Sequence, residues 1–383
     1  MATDISQPAA RSPGFKFFLI VILTVAMAVP LFFIQLALSD REEHASGAVT
    51  DIATGWGGAQ VVAGPILLVP YATMRQEVVD GRQVQTMQRD TAVLLPENLD
   101  MKVDAETGTR SRGIFDVPVY RARIALHAGF DAKAMEGLVP QGATVYWEQA
   151  RVAVRVSDSH GLADNVTLMA NGHPVAFGPG VSAADGSKLS GIEAPLALAG
   201  PANLKLDTTF FLRGSREFSL APLGRRTTAT IHSPWSSPSF FGAFLPTERQ
   251  VTKDGFTASW TVPYLARGFG QSFASSATAM DQLESQGFGA KFYQPVDHYQ
   301  LVQRSLKYAI LFVALAFLVF FVVETISPER LHAVQYALVG AAQVLFYLLL
   351  LSLSEHIGFA LAYLVAATAT VALPRTGCLA RDA

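Results

Sequence analysis

Apolar positions along the chain follow two regimes. From Phe17 to Leu38 (FFLIVILTVAMAVPLFFIQLAL) no charge interrupts the run, and about 20 such residues suffice to cross a hydrocarbon core of roughly 30 Å. Later runs cover Tyr308 to Val323, extendable to Ile326, then Ala333 to Leu353, and Ile357 to Leu373. These predict four transmembrane helices, over 17–38, 308–326, 333–353 and 357–373. Pro30 predicts a kink in the first, which a bundle tolerates because neighbours can re-satisfy the freed backbone. Between the first and second runs, residues 40–305 change period. Within VYRARIALHAGF (119–130) and ATVYWEQARVAVRVS (143–157), the stretches VYRARIAL and RVAVRVS alternate charged and apolar residues, the pattern of strands with one wet and one packed face. VVAGPILLVPY (61–71), NLKLDTTFFL (203–212), RTTATIHSPW (226–235) and GFTASWTV (255–262) read as further strands. Frequent Gly and Pro, as in NGHPV, GPG and HSPWSSPSF, favour many short antiparallel strands. Residues 40–56 and 276–289 are candidate helices.

The fold class that follows is a membrane protein of α+β type. It has an N-terminal transmembrane anchor (17–38) behind a cytoplasmic N-terminus (1–16), one large exported all-β, sandwich-like domain (40–305), C-terminal transmembrane helices and a short tail (374–383). Composition agrees: half of the 383 residues are hydrophobic and only 16% charged, apolar-rich for a soluble chain. Arg11 and Lys16 precede the first run, while Asp40, Glu42 and Glu43 follow it around Arg41. Positive residues stay in the cytoplasm, so the N-terminus is inside and residue 40 outside. Arg375 and Arg381 agree with four crossings, whereas Arg304 and Lys307 before the second span do not. The first run exceeds the roughly 7–15 residues of a signal-peptide core, so an uncleaved anchor is expected.

A net charge of −2 with no basic cluster speaks against a nucleic-acid partner; the lipid bilayer is the partner the runs imply. The lone Cys378 has no internal disulfide partner. Asp158, Ser159 and His160 carry the residue types of a nucleophilic triad, but neighbours on a turn diverge where a triad must converge, so a polar turn is expected. His127, His160, His173, His232 and His298 are scattered without ligand spacing, and no nucleotide or zinc-peptidase motif occurs. No catalytic residue, cofactor site or metal site is therefore expected. NVT at 165–167 matches a glycosylation acceptor, a three-residue pattern that arises by chance. Trp235, Phe240, Phe241, Phe244 and Trp260 form an aromatic-dense segment, expected to pack a strand junction rather than to dock a partner. Tyr336, Gly340, Gln343 and Tyr347 share one face of the third span, expected to pack against neighbouring helices. Glu355 and His356 fall where the third span has crossed about 30 Å and are expected in a turn at the boundary. ETISPERLH (324–332) is the expected cytoplasmic turn, with Glu324, Glu329, Arg330 and His332. The alternative to a non-enzymatic protein is a transporter or membrane-embedded enzyme using Glu324, Glu355 and His356.

Two long strings are specific. WSSPSFFGAFLPTERQVTKDGFTASW, and DHYQLVQRSLKYAILFVALAFLVFFVVETISPERLHAVQYALVGAAQVLFYLLLLSLSEHIGF, with GPILLVPY and RGIFDVPVYRARI upstream, closely resemble the CreD family of bacterial inner-membrane proteins. The resemblance covers residues 15–365. It implies a Gram-negative inner-membrane protein with a periplasmic β-domain, linked to envelope integrity, colicin response and β-lactam tolerance. It implies no catalytic activity and no site residues, and allows another envelope component as partner. The chain departs from the family where its apolar run breaks into LPRTGCLARDA, so a tail truncated relative to the family is expected.

Overall fold

The computed structural model describes residues 13–79, 82–113, 115–131, 133–134, 139–163, 166–182, 188–292, 298–326 and 332–379. The chain divides into two compact units, Met1–Gly47 with Pro295–Ala383, and Ala48–Gln294. Helix α1 (Pro13–Trp56) supplies residues to both.

Among the described residues eighteen strands build the second unit: β1 (Gln60–Val79), β2 (Arg82–Leu94), β3 (Asn98–Arg112), β4 (Phe115–Phe130), β5 (Thr144–Val145), β6 (Arg151–Val156), β7 (Thr167–Ala170), β8 (His173–Val175), β9 (Gly178–Ser182) and β10 (Lys188–Pro195). They continue as β11 (Leu204–Ser215), β12 (Glu217–Leu220), β13 (Arg226–Ser233), β14 (Pro238–Gly242), β15 (Glu248–Thr252), β16 (Gly255–Pro263), β17 (Ser272–Ala274) and β18 (Phe288–Phe292). One sheet runs β14-β18-β12-β1-β6-β10-β9, with β2, β5 and β17 joined around β1; the other runs β15-β16-β13-β3-β4-β11-β7-β8. A single apolar core draws on both sheets. Strand β4 shows why: Ala122, Ile124, Leu126, Ala128 and Phe130 point inward while Arg121 and Arg123 point out. The expectation of short antiparallel strands needs correcting in two places. The hairpins β1–β2 and β3–β4 are long ribbons, and β1–β12 and β13–β3 pair in parallel. Short helix α2 (Ala277–Ser285), capped by Ser276 Oγ accepting from the Ala279 amide at 3.1 Å, follows β17.

The aromatic segment is core. Phe240 meets Phe256 and Trp260 edge-on at 5.5 and 5.9 Å, Trp260 tilts against Phe288 at 5.2 Å, and Trp260 Nε1–H donates to the Phe244 carbonyl at 3.2 Å. A buried indole with its N–H satisfied combines large apolar burial with no orphan donor.

The first unit holds α1 up to Gly47, α3 (His298–Lys307), α4 (Ala309–Ile326), α5 (Ala333–Ile357) and α6 (Phe359–Leu379). Helix α1 passes through Pro30 without ending and continues past Leu38, because DREEHASGAVTDIATGW holds no helix breaker strong enough to stop it once started. Its end is fixed in the second unit. There the Trp56 ring lies against the guanidinium of Arg110 at 3.8 Å, and Arg112 pairs with Asp51 at 3.0 Å. Among the described residues three helices are long and apolar enough to cross a membrane: Gly14–Trp56, Ala309–Ile326 and Ala333–Ile357. The expected fourth span corresponds to α6, whose described apolar part, Phe359–Ala372, is shorter. Helix α6 is helical to Leu379, beyond residue 373 where apolarity ends.

Candidate functional site

Ionisable groups within a membrane unit are costly and therefore informative. Two buried carboxylates stand out in the first unit. Glu324, in the last turn of α4, pairs with Lys16 Nζ at the start of α1 and accepts the Tyr336 hydroxyl at 3.0 Å; its side chain is 6% exposed. Glu355, in the last turn of α5, pairs with the Arg41 guanidinium of α1 and is 9% exposed. Nineteen residues of α5 separate Tyr336 from Glu355, about 28 Å at 1.5 Å per residue. The two ion pairs therefore mark opposite ends of the bundle. They put the start of α1 beside the end of α4, and the exported end of the first span beside the end of α5. That is the order of helices that alternate in direction through the bundle.

Glu355 and His356 are not in a turn, contrary to the sequence reading. Both lie inside α5, which ends at Gly358 with φ +77°. Ser354 turns its hydroxyl back onto the Leu351 carbonyl at 3.0 Å, and the His356 ring Nδ1 lies 3.3 Å from the Ser352 carbonyl. Local side-chain hydrogen bonds thus stay within the helix, and Arg41 supplies the counter-charge that lets it carry an acid. His356 is exposed. Glu324, Glu355 and His356 are consequently not brought together. Residues 327–331, which carry Glu329 and Arg330, lie outside the described residues, as does Asn165 of the NVT pattern; His332 caps α5.

The stripe on α5 packs. Tyr336, Gly340 and Tyr347 are buried. A Cβ on Gly340 would lie 2.8 Å from Phe317 Cζ and 3.0 Å from Met27 Sδ, so α1, α4 and α5 meet at this residue. Gln343 Oε1 is buried there with no donor among the described residues.

In the β-unit the residues with triad chemistry form a capped turn. Asp158 Oδ1 accepts from the His160 amide at 2.9 Å and faces its ring Nδ1 at 2.8 Å, while Asp158 Oδ2 accepts from the Gly58 amide at 3.2 Å. Burial pushes the Asp158 carboxyl up, but the bonds from His160 and Gly58 outweigh it and leave it below its ordinary value. Ser159 Oγ accepts from the Gly191 amide at 3.1 Å instead of meeting His160. His127 pairs with Asp207 across β4 and β11 at 2.6 Å, and His232 faces Thr257 at 3.1 Å. Among the described residues no three His, Cys, Asp or Glu side chains are grouped to hold a metal ion. Sequence reasoning missed two buried charges here, Arg155 and Arg267. Arg155 on β6, 7% exposed, pairs with Glu284 of α2 at 3.0 Å. Burial raises the Glu284 carboxyl, Arg155 lowers it, and the net shift is upward. It also missed both bundle pairs, although their signal was present: Lys16 opens the first apolar run and Glu324 closes the second, which antiparallel neighbours juxtapose.

The family model described as "Inner membrane protein CreD" matches residues 12–376. The Inner membrane protein CreD of Escherichia coli (strain K12) is 32% identical over 341 residues, spanning 89% of this chain and 75% of that protein. Among solved structures, an M1 zinc metallopeptidase from Deinococcus radiodurans aligns with a TM-score of 0.23 at 13% identity, over 52% of this chain and 42% of that one. Legionella pneumophila aminopeptidase A aligns at 0.21 and 9%, over 48% and 21%. At such scores neither likeness bears on fold or chemistry here.

Proposed function

The chain belongs to the CreD family of inner membrane proteins, and from that premise we propose that it supports cell-envelope integrity without catalysing a reaction. In this reading the periplasmic β-domain engages another envelope component and the helices hold it at the inner membrane. The observation that carries the reading is the use made of the two bundle acids. Each is engaged by a base of α1, at opposite ends of the bundle, where a transport or catalytic site would have them converge on one substrate. The β-unit's own acid–histidine pairs are likewise engaged in a turn cap and a cross-strand pair.

The test is complementation of cells lacking the chromosomal copy, scored by survival under envelope stress. The double variant Arg41→Gln/Glu355→Gln keeps shape and removes both charges, and it retains function if these residues only hold helices together. Loss of function at normal membrane abundance would instead favour the transporter or membrane enzyme. Turnover of a cell-wall or lipid substrate by the purified full chain would overturn the non-enzymatic reading directly.

A further inference from the structure

Helices α1 and α4 run antiparallel: Lys16 meets Glu324, Phe17 meets Phe321 edge-on with ring centroids 6.1 Å apart, and Val25 and Ala314 line one groove. Their cytoplasmic ends are drawn together by these contacts. Farther along, the small Ala314 and short Thr24 leave a groove of about 290 Å³ whose other walls include Ile20 and Leu318. Thr24 Oγ1 already donates to the Ile20 carbonyl at 2.9 Å, so the lining leaves no hydroxyl seeking a partner. The groove is open on its outer side, where Val21, Val25 and Leu318 are exposed.

We propose that this groove is a phospholipid site, with one acyl chain along it and the phosphate of an anionic headgroup at Lys16. Shape suits a chain: from Phe17 to Val25 the lining offers about 12 Å of apolar length at 1.5 Å per residue, open along its outer side at Val21, Val25 and Leu318. Charge selects the headgroup. Lys16 stands one residue outside the groove, at the depth where basic side chains reach the headgroup layer. An ammonium has three donors, and Glu324 is shared between Lys16 and the Tyr336 hydroxyl. The Lys16 side chain is 30% exposed, which leaves it within reach of a phosphate from the lipid side.

The experiment is native mass spectrometry of the full chain taken from bilayers of phosphatidylglycerol and phosphatidylethanolamine with matched chains. The wild type is expected to retain phosphatidylglycerol over phosphatidylethanolamine by less than the roughly fivefold that one unpaired basic residue gives at an anionic surface, because Glu324 shares the Lys16 charge. Lys16→Gln removes that preference, Lys16→Arg keeps it, and Glu324→Gln, which releases the ammonium, increases it. A purely structural ion pair would move Lys16→Gln and Glu324→Gln in the same direction, which overturns the proposal. Ala314→Leu fills the groove and is expected to lower retention of both lipids. Equal retention of the two lipids by the wild type overturns the headgroup assignment. A two-chain species abolished by Ala314→Leu would assign the groove to a second copy and overturn the lipid.

Discussion

In the β-unit, Trp260, Tyr120, Phe210 and Phe288 are no more than 1% exposed, and charged residues alternate outward along β4. In the helical unit, Phe18, Phe33 and Phe312 expose 62%, 64% and 56% of their surface, and the buried set includes Tyr336, Tyr347 and Ser354. One physical rule, applied with two solvents, gives both arrangements. Water drives apolar area inward at about 25 cal/mol per Å². Lipid offers helices no such reward, so they associate through close packing and polar pairing. A phenylalanine therefore reports different physics in each unit, and so does an acid.

The largest test of that contrast compares equal chemistry in both places. Trp260→Ala removes a side chain packed against Phe240 and Phe288 and is expected to destabilise the β-unit by about 3–5 kcal/mol. Phe33→Ala, on the lipid-facing surface of α1, is expected to change stability by no more than about 0.5 kcal/mol. Thermal unfolding followed by limited proteolysis of the full chain reads both, and comparable losses would break the comparison.

Next in size is the ion pair at the exported end. Arg41→Ala leaves the Glu355 carboxylate nearly buried without its base. Because the Arg41 side chain is 37% exposed, the expected cost, about 2 kcal/mol, lies between the surface and buried limits. Glu355→Gln should cost less, since no charge is stranded. Exchanging the charges in Arg41→Glu/Glu355→Arg should recover part of the loss in a denaturing-micelle titration. If Arg41→Ala and Glu355→Gln cost the same, the pair is not what the acid depends on.

Close packing comes third. Gly340→Val places atoms where Phe317 and Met27 already sit and is expected to cost about 1–3 kcal/mol. Gly340→Ala costs less, because Met27 is a flexible side chain that can move. A silent Gly340→Val in the same titration would mean that the three helices do not meet at this residue.

How much of this was legible in the chain follows the same division. Long apolar runs located the helices because composition alone defines a span, and VYRARIALHAGF located β4 because its period is local. Helix ends were less legible: apolarity stops at Leu38, but α1 continues to Trp56 since continuation needs only the absence of a breaker. Strand β3 alternates as openly as β4, with Leu99, Met101, Val103 and Ala105 buried between Asp100, Lys102 and Asp104, but its parallel pairing with β13 joins segments far apart in sequence, which no local pattern encodes. Glu355 was misplaced for a related reason. Its counter-ion, Arg41, lies 314 positions away, and without that partner a boundary acid reads as a turn.

The smallest effect is the acid-side behaviour of the Asp158 turn. The folded-state value of this carboxyl is depressed below its ordinary 3.8. Its contribution is therefore present in full above about pH 4 and is lost as pH falls through the folded-state value, the direction expected when the unfolded chain binds the proton more readily. The side chain is 27% exposed, so the contribution is held near the lower end of an N-cap's worth, about 0.5–1 kcal/mol. Asp158→Asn can still cap the turn through its carbonyl oxygen but has no proton to gain. Its stability should consequently be flatter between pH 5 and pH 3 than that of the wild type, measured as the shift in the β-unit's unfolding midpoint. A wild type and variant with parallel acid limbs would show that the turn is held by geometry alone, and that ionised acids matter to this chain chiefly where lipid, not water, surrounds them.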